Sequence, residues 1–170
     1  MAKLETERLA LRPIVLDDAA LLVELFEDDW DAIKQTGRMP YPPTEQALRG
    51  WLAGHAGPLS HSFLITLRED DRAIGVIGFG GEAGAAELGY ALGRRFWGQG
   101  YATEAVRALV DLAHEVGVRR LDAYSFIENP ASARVLEKTG FRDLGVAARD
   151  YPKRGGARRV QHYQITFEGG

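Results

Sequence analysis

Between Glu87 and Ala113 the chain changes character twice. Glu87-Leu88-Gly89-Tyr90-Ala91-Leu92 reads as a strand. Gly93-Arg94-Arg95-Phe96-Trp97-Gly98-Gln99-Gly100 reads as a glycine-rich turn. A strong helix follows, with Ala102, Ala105, Val106, Leu109, Val110 and Ala113 at helical spacing and a stop at Gly117. Unpaired N–H groups at a helix start carry partial positive charge and suit a phosphate. The glycines let backbone approach such a group closely, and Arg94 and Arg95 add full charges. The segment is not a Walker A loop, because no Gly-Lys-Ser/Thr follows. It is a poor dinucleotide fingerprint, because Thr103 stands where a third glycine belongs. Taken alone, it serves equally well as a tight turn with a solvated arginine pair.

The rest of the chain sets the layers around this turn. Leu9 and Leu11 alternate with polar neighbours in a first strand closed by Pro13. Asp17 is positioned to cap a helix reaching about Phe26, and the acidic run Glu27-Asp28-Asp29-Trp30-Asp31 reads as helix end and loop. Met39-Pro40-Tyr41-Pro42-Pro43 is irregular, since proline lacks an N–H and disfavours helix before it. Thr44 then caps a helix with Leu48, Trp51 and Leu52 on one face. Phe63, Ile65 and Leu67 alternate, Asp70-Asp71 make a turn, and Ala73 to Phe79 is nearly all apolar, as in a strand covered on both faces, until Gly80-Gly81 breaks it. Val118 to Phe126 is a strand, and Asn129-Pro130 opens a short helix ending at Gly140. Phe141 to Phe167 supplies two strands joined by Arg154-Gly155-Gly156-Ala157. This order predicts a mixed α/β domain with hairpins and a βαβ connection, not a regular doubly wound sheet.

Composition excludes several classes of function. The chain has 170 residues, 45% apolar and 26% charged, which suits one globular domain spanning 1–170. The absence of cysteine removes disulfides, thiolate metal sites and cysteine nucleophiles, and fits a cytoplasmic protein. A net charge of −3 disfavours a nucleic acid partner. No apolar run approaches the roughly 20 residues needed to cross a membrane, and the first residues lack an apolar signal core. The histidines at 55, 61, 114 and 162 have no metal-ligand spacing, so no metal is expected.

Trp97-Gly98-Gln99-Gly100-Tyr101-Ala102-Thr103-Glu104-Ala105 is followed, one βα unit later, by Asn129-Pro130-Ala131-Ser132 and Glu137-Lys138-Thr139-Gly140-Phe141. Together they resemble the GNAT superfamily of acetyl-CoA-dependent N-acetyltransferases, and more narrowly its RimJ/RimL-type branch. Thr6 to Pro13 and Pro40-Tyr41-Pro42 are similar to that branch too, so the resemblance covers nearly the whole chain. It implies a mixed, mostly antiparallel, twisted sheet of about six to seven strands flanked by about four helices. It implies that N–H groups around Gly98, Gln99, Gly100, Tyr101 and Ala102 hold the pyrophosphate of acetyl-CoA, with Arg94 and Arg95 beside them. The strand edge at Ala91 and Leu92 would pair with the pantetheine arm, and Asn129 would bond it from the next helix. Where the superfamily often places a tyrosine late in that helix, this chain has Leu136. That departure puts Ser132 forward as the group facing the leaving thiolate.

Each candidate also has a plainer reading. Asn129 caps a helix whatever else it does, and Ser132 is an ordinary first-turn residue. Arg134 and Lys138 share a helix face that reaches a phosphate or merely solvates the surface. Glu104 suits the helix dipole and reads as structural. Glu87 lies opposite Leu88 and Tyr90 by alternation; the resemblance implies a general base on this strand and so makes Glu87 the first candidate, with Asp150 as its rival and a solvated glutamate as the alternative. The implied reaction is direct attack of a primary amine, on a protein N-terminus or a small molecule, in a ternary complex. No acyl-enzyme is expected, since there is no cysteine and no Ser–His pair is evident. The alternative is a non-catalytic acyl-CoA-binding or sensor module. Either a monomer or a homodimer satisfies the sequence.

Overall fold

The computed structural model describes residues 2–54, 60–82 and 84–167. Eight strands form one sheet: β1 (Leu4–Glu5), β2 (Leu9–Pro13), β3 (His61–Leu67), β4 (Ala73–Glu82), β5 (Ala85–Leu92), β6 (Arg120–Phe126), β7 (Arg142–Tyr151) and β8 (Gly156–Thr166). Their order is β1-β2-β3-β4-β5-β6-β8-β7, and among these pairings β5–β6 alone is parallel. Five helices are described: α1 (Ala19–Phe26), α2 (Trp30–Ile33), α3 (Glu45–Ala53), α4 (Tyr101–Glu115) and α5 (Pro130–Lys138).

The apolar patterns explain the layering. On one face, Leu9, Leu11, Phe63, Ile65, Ile77 and Phe79 pack with Ala105, Val106, Leu109 and Ala113 of α4 and Leu136 of α5. On the other, Leu64, Val76 and Ala91 meet Leu22 and Phe26 of α1, Ile33 of α2 and Leu48 and Leu52 of α3. β4 therefore contributes to both cores, which is why its sequence is nearly continuous in apolar residues. The Thr44 hydroxyl accepts the Ala47 N–H at 3.1 Å and starts α3. Asn129 accepts the Ser132 N–H at 3.3 Å, with Pro130 in the first turn of α5.

The structure corrects four local expectations. Gly80 and Gly81 do not end β4; they pair with Glu87 and Ala86, and a Cβ at Gly81 would lie 2.8 Å from the Ala85 carbonyl oxygen. The acidic run does not stay a loop, because Asp29 accepts the Ala32 N–H and caps α2. Asp17 caps no helix. Leu16–Asp18 is a 3₁₀ turn, and the buried Asp18 carboxylate takes two hydrogen bonds from Arg12 and one from the Val15 N–H. β1 and α2 raise the totals above the expected seven strands and four helices.

Candidate active site

β5 is the central element of the site. Its antiparallel ladder with β4 runs the whole way to Leu92, whereas its parallel ladder with β6 stops at Leu88↔Ala123. Beyond that pair β6 continues with Tyr124, Ser125 and Phe126 bonded to β8. The two central strands thus diverge. The Gly93 N–H bonds the Ile74 carbonyl at 3.0 Å, so by the alternation of an antiparallel ladder Ala91 and Gly89 spend their backbone groups on β4. Tyr90 and Leu92 direct theirs into the opening. Leu92 gives its carbonyl to the Trp97 indole N–H at 2.9 Å, which ties the following turn to the strand end.

That turn is a 3₁₀ segment, Arg94–Phe96, anchored by the buried Phe96. Gly98 (φ 72°) and Gly100 (φ 83°) are both left-handed, conformations that glycine adopts without strain. Gly100 is the N-cap of α4, and no side chain caps the helix there. The N–H groups of the first α4 turn therefore face outward with no intrahelical acceptor. A cavity of about 540 Å³ opens along this path, from the wedge between β5 and β6 to the α4 N-terminus. That volume lies in the range of small-molecule and cofactor sites.

The cavity gathers most of the residues predicted for it. Ala91, Leu92, Gly98, Gly100, Tyr101 and Ala102 line it, as do Asn129, Ser132 and Glu87. The two turn arginines are not among its walls. Arg94 is forked onto Asp29 and reaches Asp31 at 3.1 Å, which holds the Asp29 carboxyl below its usual range. Arg95 lines a separate groove with Arg12 and Arg72. Gln99 turns its side chain to the Arg95 carbonyl and its own carbonyl to Arg8, so only its backbone N–H is left for the turn. The cations that do line the cavity are Arg134 and Lys138 of α5, with Arg38 and Arg149 at the opposite end.

Glu87 sits on the face of β5 away from α4. Arg38 donates to one of its oxygens at 2.9 Å and Arg149 pairs with the other at 2.7 Å. Arg149 also lies over the Tyr124 ring, 3.9 Å from its centroid. Asp150 is exposed and alternates with Arg149 and Tyr151, both cavity residues, so its side chain leaves from the other side of the sheet and is no rival to Glu87. Glu104 is structural: it accepts from Thr6, from the Arg8 N–H and from the Arg8 guanidinium. Burial raises its carboxyl, and those hydrogen bonds outweigh burial and lower it. Leu136 is buried in the core and brings no hydroxyl.

The site also holds one group that sequence reasoning passed over. The Tyr90 hydroxyl lies 3.0 Å from the Ser132 hydroxyl, and both line the cavity. Burial pushes the Tyr90 phenol up to about 12, partly opposed by the bond to Ser132. The available signal was a polar aromatic ring in an otherwise apolar strand face. His61 and His114 stack on Phe79 and Phe167, and His162 bonds Asp122 at 2.7 Å. His55 lies outside the described residues. Among the described residues no cluster of three or more His, Cys, Asp or Glu side chains is arranged to hold a metal.

A model of the GNAT acetyltransferase domain matches residues 8–142. The chain belongs to the GNAT acetyltransferase family. Within it, the chain is 35% identical over 178 residues to the uncharacterized N-acetyltransferase p20 of Bacillus licheniformis, covering 98% of this chain and 96% of that protein. A GNAT-family acetyltransferase structure from Bacillus anthracis superposes with a TM-score of 0.81 at 25% identity, covering 97% and 98% of the two chains. RimL, a ribosomal L7/L12 α-N-protein acetyltransferase solved with coenzyme A, shares the fold with a TM-score of 0.83 at 21% identity, covering 99% and 100%. The acetyltransferase is thus an acetyl-CoA-dependent enzyme acting on amines, with the mixed, mostly antiparallel sheet expected of it.

Proposed function

We propose that the enzyme seats acetyl-CoA in the wedge between β5 and β6 and takes its acceptor, a primary amine on a protein N-terminus or a small molecule, from the Glu87 side. The end of the β5–β6 ladder at Leu88↔Ala123 carries this reading. It leaves a strand edge with unspent backbone groups that leads directly to the uncapped N-terminus of α4. The N–H groups of Gly98, Gln99, Gly100, Tyr101 and Ala102 hold the pyrophosphate, and the β5 edge at Tyr90 and the Leu92 N–H holds the pantetheine arm, since Ala91 spends its backbone groups on β4. Asn129 uses its side-chain oxygen as a cap and keeps its amide N–H groups for the same arm. Arg134 and Lys138 replace Arg94, which Asp29 holds, and Arg95, which lines a separate groove, as partners of the remaining phosphate.

Acetyl-CoA supplies the activated thioester. The protein aligns the two reactants, which alone gives a large effective concentration. It also moves one proton. Each Glu87 oxygen spends one lone-pair direction on an arginine and keeps another for the amine. On the opposite face of β5, Ser132 meets the departing sulfur. Base and hydroxyl thus stand on the two sides of one strand, as direct attack through the wedge requires. The net charge of −3 argues against nucleic acid, and the cysteine-free chain suits the cytoplasm. A panel of peptides and small amines with acetyl-CoA, read as thiol release, tests the reading. Turnover with at least one primary amine is expected; thiol release with none of them overturns it.

A further inference from the structure

Tyr90 has no role in the reaction as described so far. It stands two residues beyond the last β5–β6 pair, on the α4–α5 side of β5 with Leu88. Its hydroxyl meets the Ser132 hydroxyl at 3.0 Å, inside the cavity. Neither the hydrophobic packing of the strand nor the capping of α5 calls for a phenol here. A phenylalanine would fill the same space and need no polar partner. Asn129 already caps the Ser132 N–H, so Ser132 is fixed by its backbone and free only in its hydroxyl.

We propose that Tyr90 is a positioning residue for acetyl transfer: its O–H donates to Ser132 Oγ and so turns the Ser132 proton toward the sulfur that leaves the acetyl group. This rests on the acetyl-CoA placement above. The direction of the bond follows from acidity, since a phenol is the better donor of the two hydroxyls. Held protonated by burial, Tyr90 stays a donor throughout the working pH range. A serine hydroxyl has one proton and two lone pairs; accepting from Tyr90 leaves that proton to be aimed elsewhere. The amine nitrogen bonds the acetyl carbon, the C–S bond breaks, and its electron pair stays on sulfur. The nitrogen loses one proton to Glu87 and the sulfur gains one from solvent after departure. The hydroxyl pair lends a hydrogen bond to the developing thiolate and gives up no proton.

The test uses coenzyme A itself and needs no acceptor. Calorimetry gives its affinity, and the ultraviolet absorbance of its thiolate gives the ionisation of the bound thiol. In the wild-type complex the thiol should ionise below the ordinary thiol value of about 8.5. Ser132→Ala should return it upward by about one pH unit, a tenfold loss of thiolate. Tyr90→Phe should move it the same way with coenzyme A affinity retained, and the double variant should go no further than Ser132→Ala. A Tyr90→Phe complex that titrates like wild type overturns the proposal. So does a Tyr90→Phe effect that persists undiminished without the Ser132 hydroxyl. Failure of the wild-type protein to bind coenzyme A would instead overturn the cofactor placement, and this proposal with it.

Discussion

At the scale of single residues, the site is decided by which charges are already spent. Arg94 was the natural anion partner from sequence, yet its guanidinium is held by Asp29, 65 residues away. No local pattern reveals such a pairing, because the fold creates it. Glu87 was legible, since alternation alone placed it opposite Leu88 and Tyr90, but its two arginines were not. The proposed role of Glu87 as base gives a sharp expectation. Glu87→Gln keeps the shape and cannot take a proton, so turnover should fall by about 10²–10⁴-fold while coenzyme A affinity holds. The loss should be greatest below the acceptor amine's pKa, where the amine arrives protonated, and fade above it. Asp150→Asn, on the other side of the sheet, should leave the pH–rate profile unchanged. Arg38→Ala removes one partner and retains the Glu87 carboxylate, so the shape of its profile should survive. An unaltered profile for Glu87→Gln would remove Glu87 from the mechanism.

At the scale of elements, the strand–turn–helix unit was the most legible part of the chain, because its glycines and helical spacing are local. The wedge beside it was not. Where β5 and β6 part is set by the paths the two strands take between their outer partners β4 and β8, and no local pattern in the sequence records those paths. The same dependence on partners explains Gly80 and Gly81, whose pairing with β5 overrides their reputation as strand breakers. The turn itself yields a direct expectation. Gly98 is left-handed, and a Cβ there meets nothing within 4 Å. Asparagine tolerates that conformation, so Gly98→Asn should fold with a melting temperature near that of wild type. Its side chain would occupy the space above the turn where the proposed binding mode seats the pyrophosphate. Coenzyme A affinity measured by calorimetry should fall by about tenfold or more, roughly the energy of one charge-assisted hydrogen bond. Unchanged affinity in a folded Gly98→Asn protein would place the pyrophosphate elsewhere.

At the scale of the whole molecule, ligand binding must appear as stability. The cavity touches both halves of the sheet, α4 and α5, so a ligand filling it adds contacts among these elements. A ligand at 100 times its dissociation constant stabilises the native state by about 2.7 kcal/mol. For a chain of this size that corresponds to about 5–10 °C in melting temperature. Coenzyme A should produce a shift of that order. The protein as a whole is negative, so any preference for a more anionic ligand must come from local cations and not from the overall field. Arg134 and Lys138 are the cations at the α5 wall of the cavity. Coenzyme A should therefore raise the melting temperature more than dephospho-coenzyme A at equal concentration, because only the former carries the 3′-phosphate. The joint variant Arg134→Ala, Lys138→Ala should abolish that difference while keeping the shift common to both ligands. ATP offers phosphates without a pantetheine arm for the β5 edge, and should shift the melting temperature little. An ATP shift equal to that of coenzyme A would mean that the turn reads phosphate alone and that the wedge between β5 and β6 adds nothing to recognition.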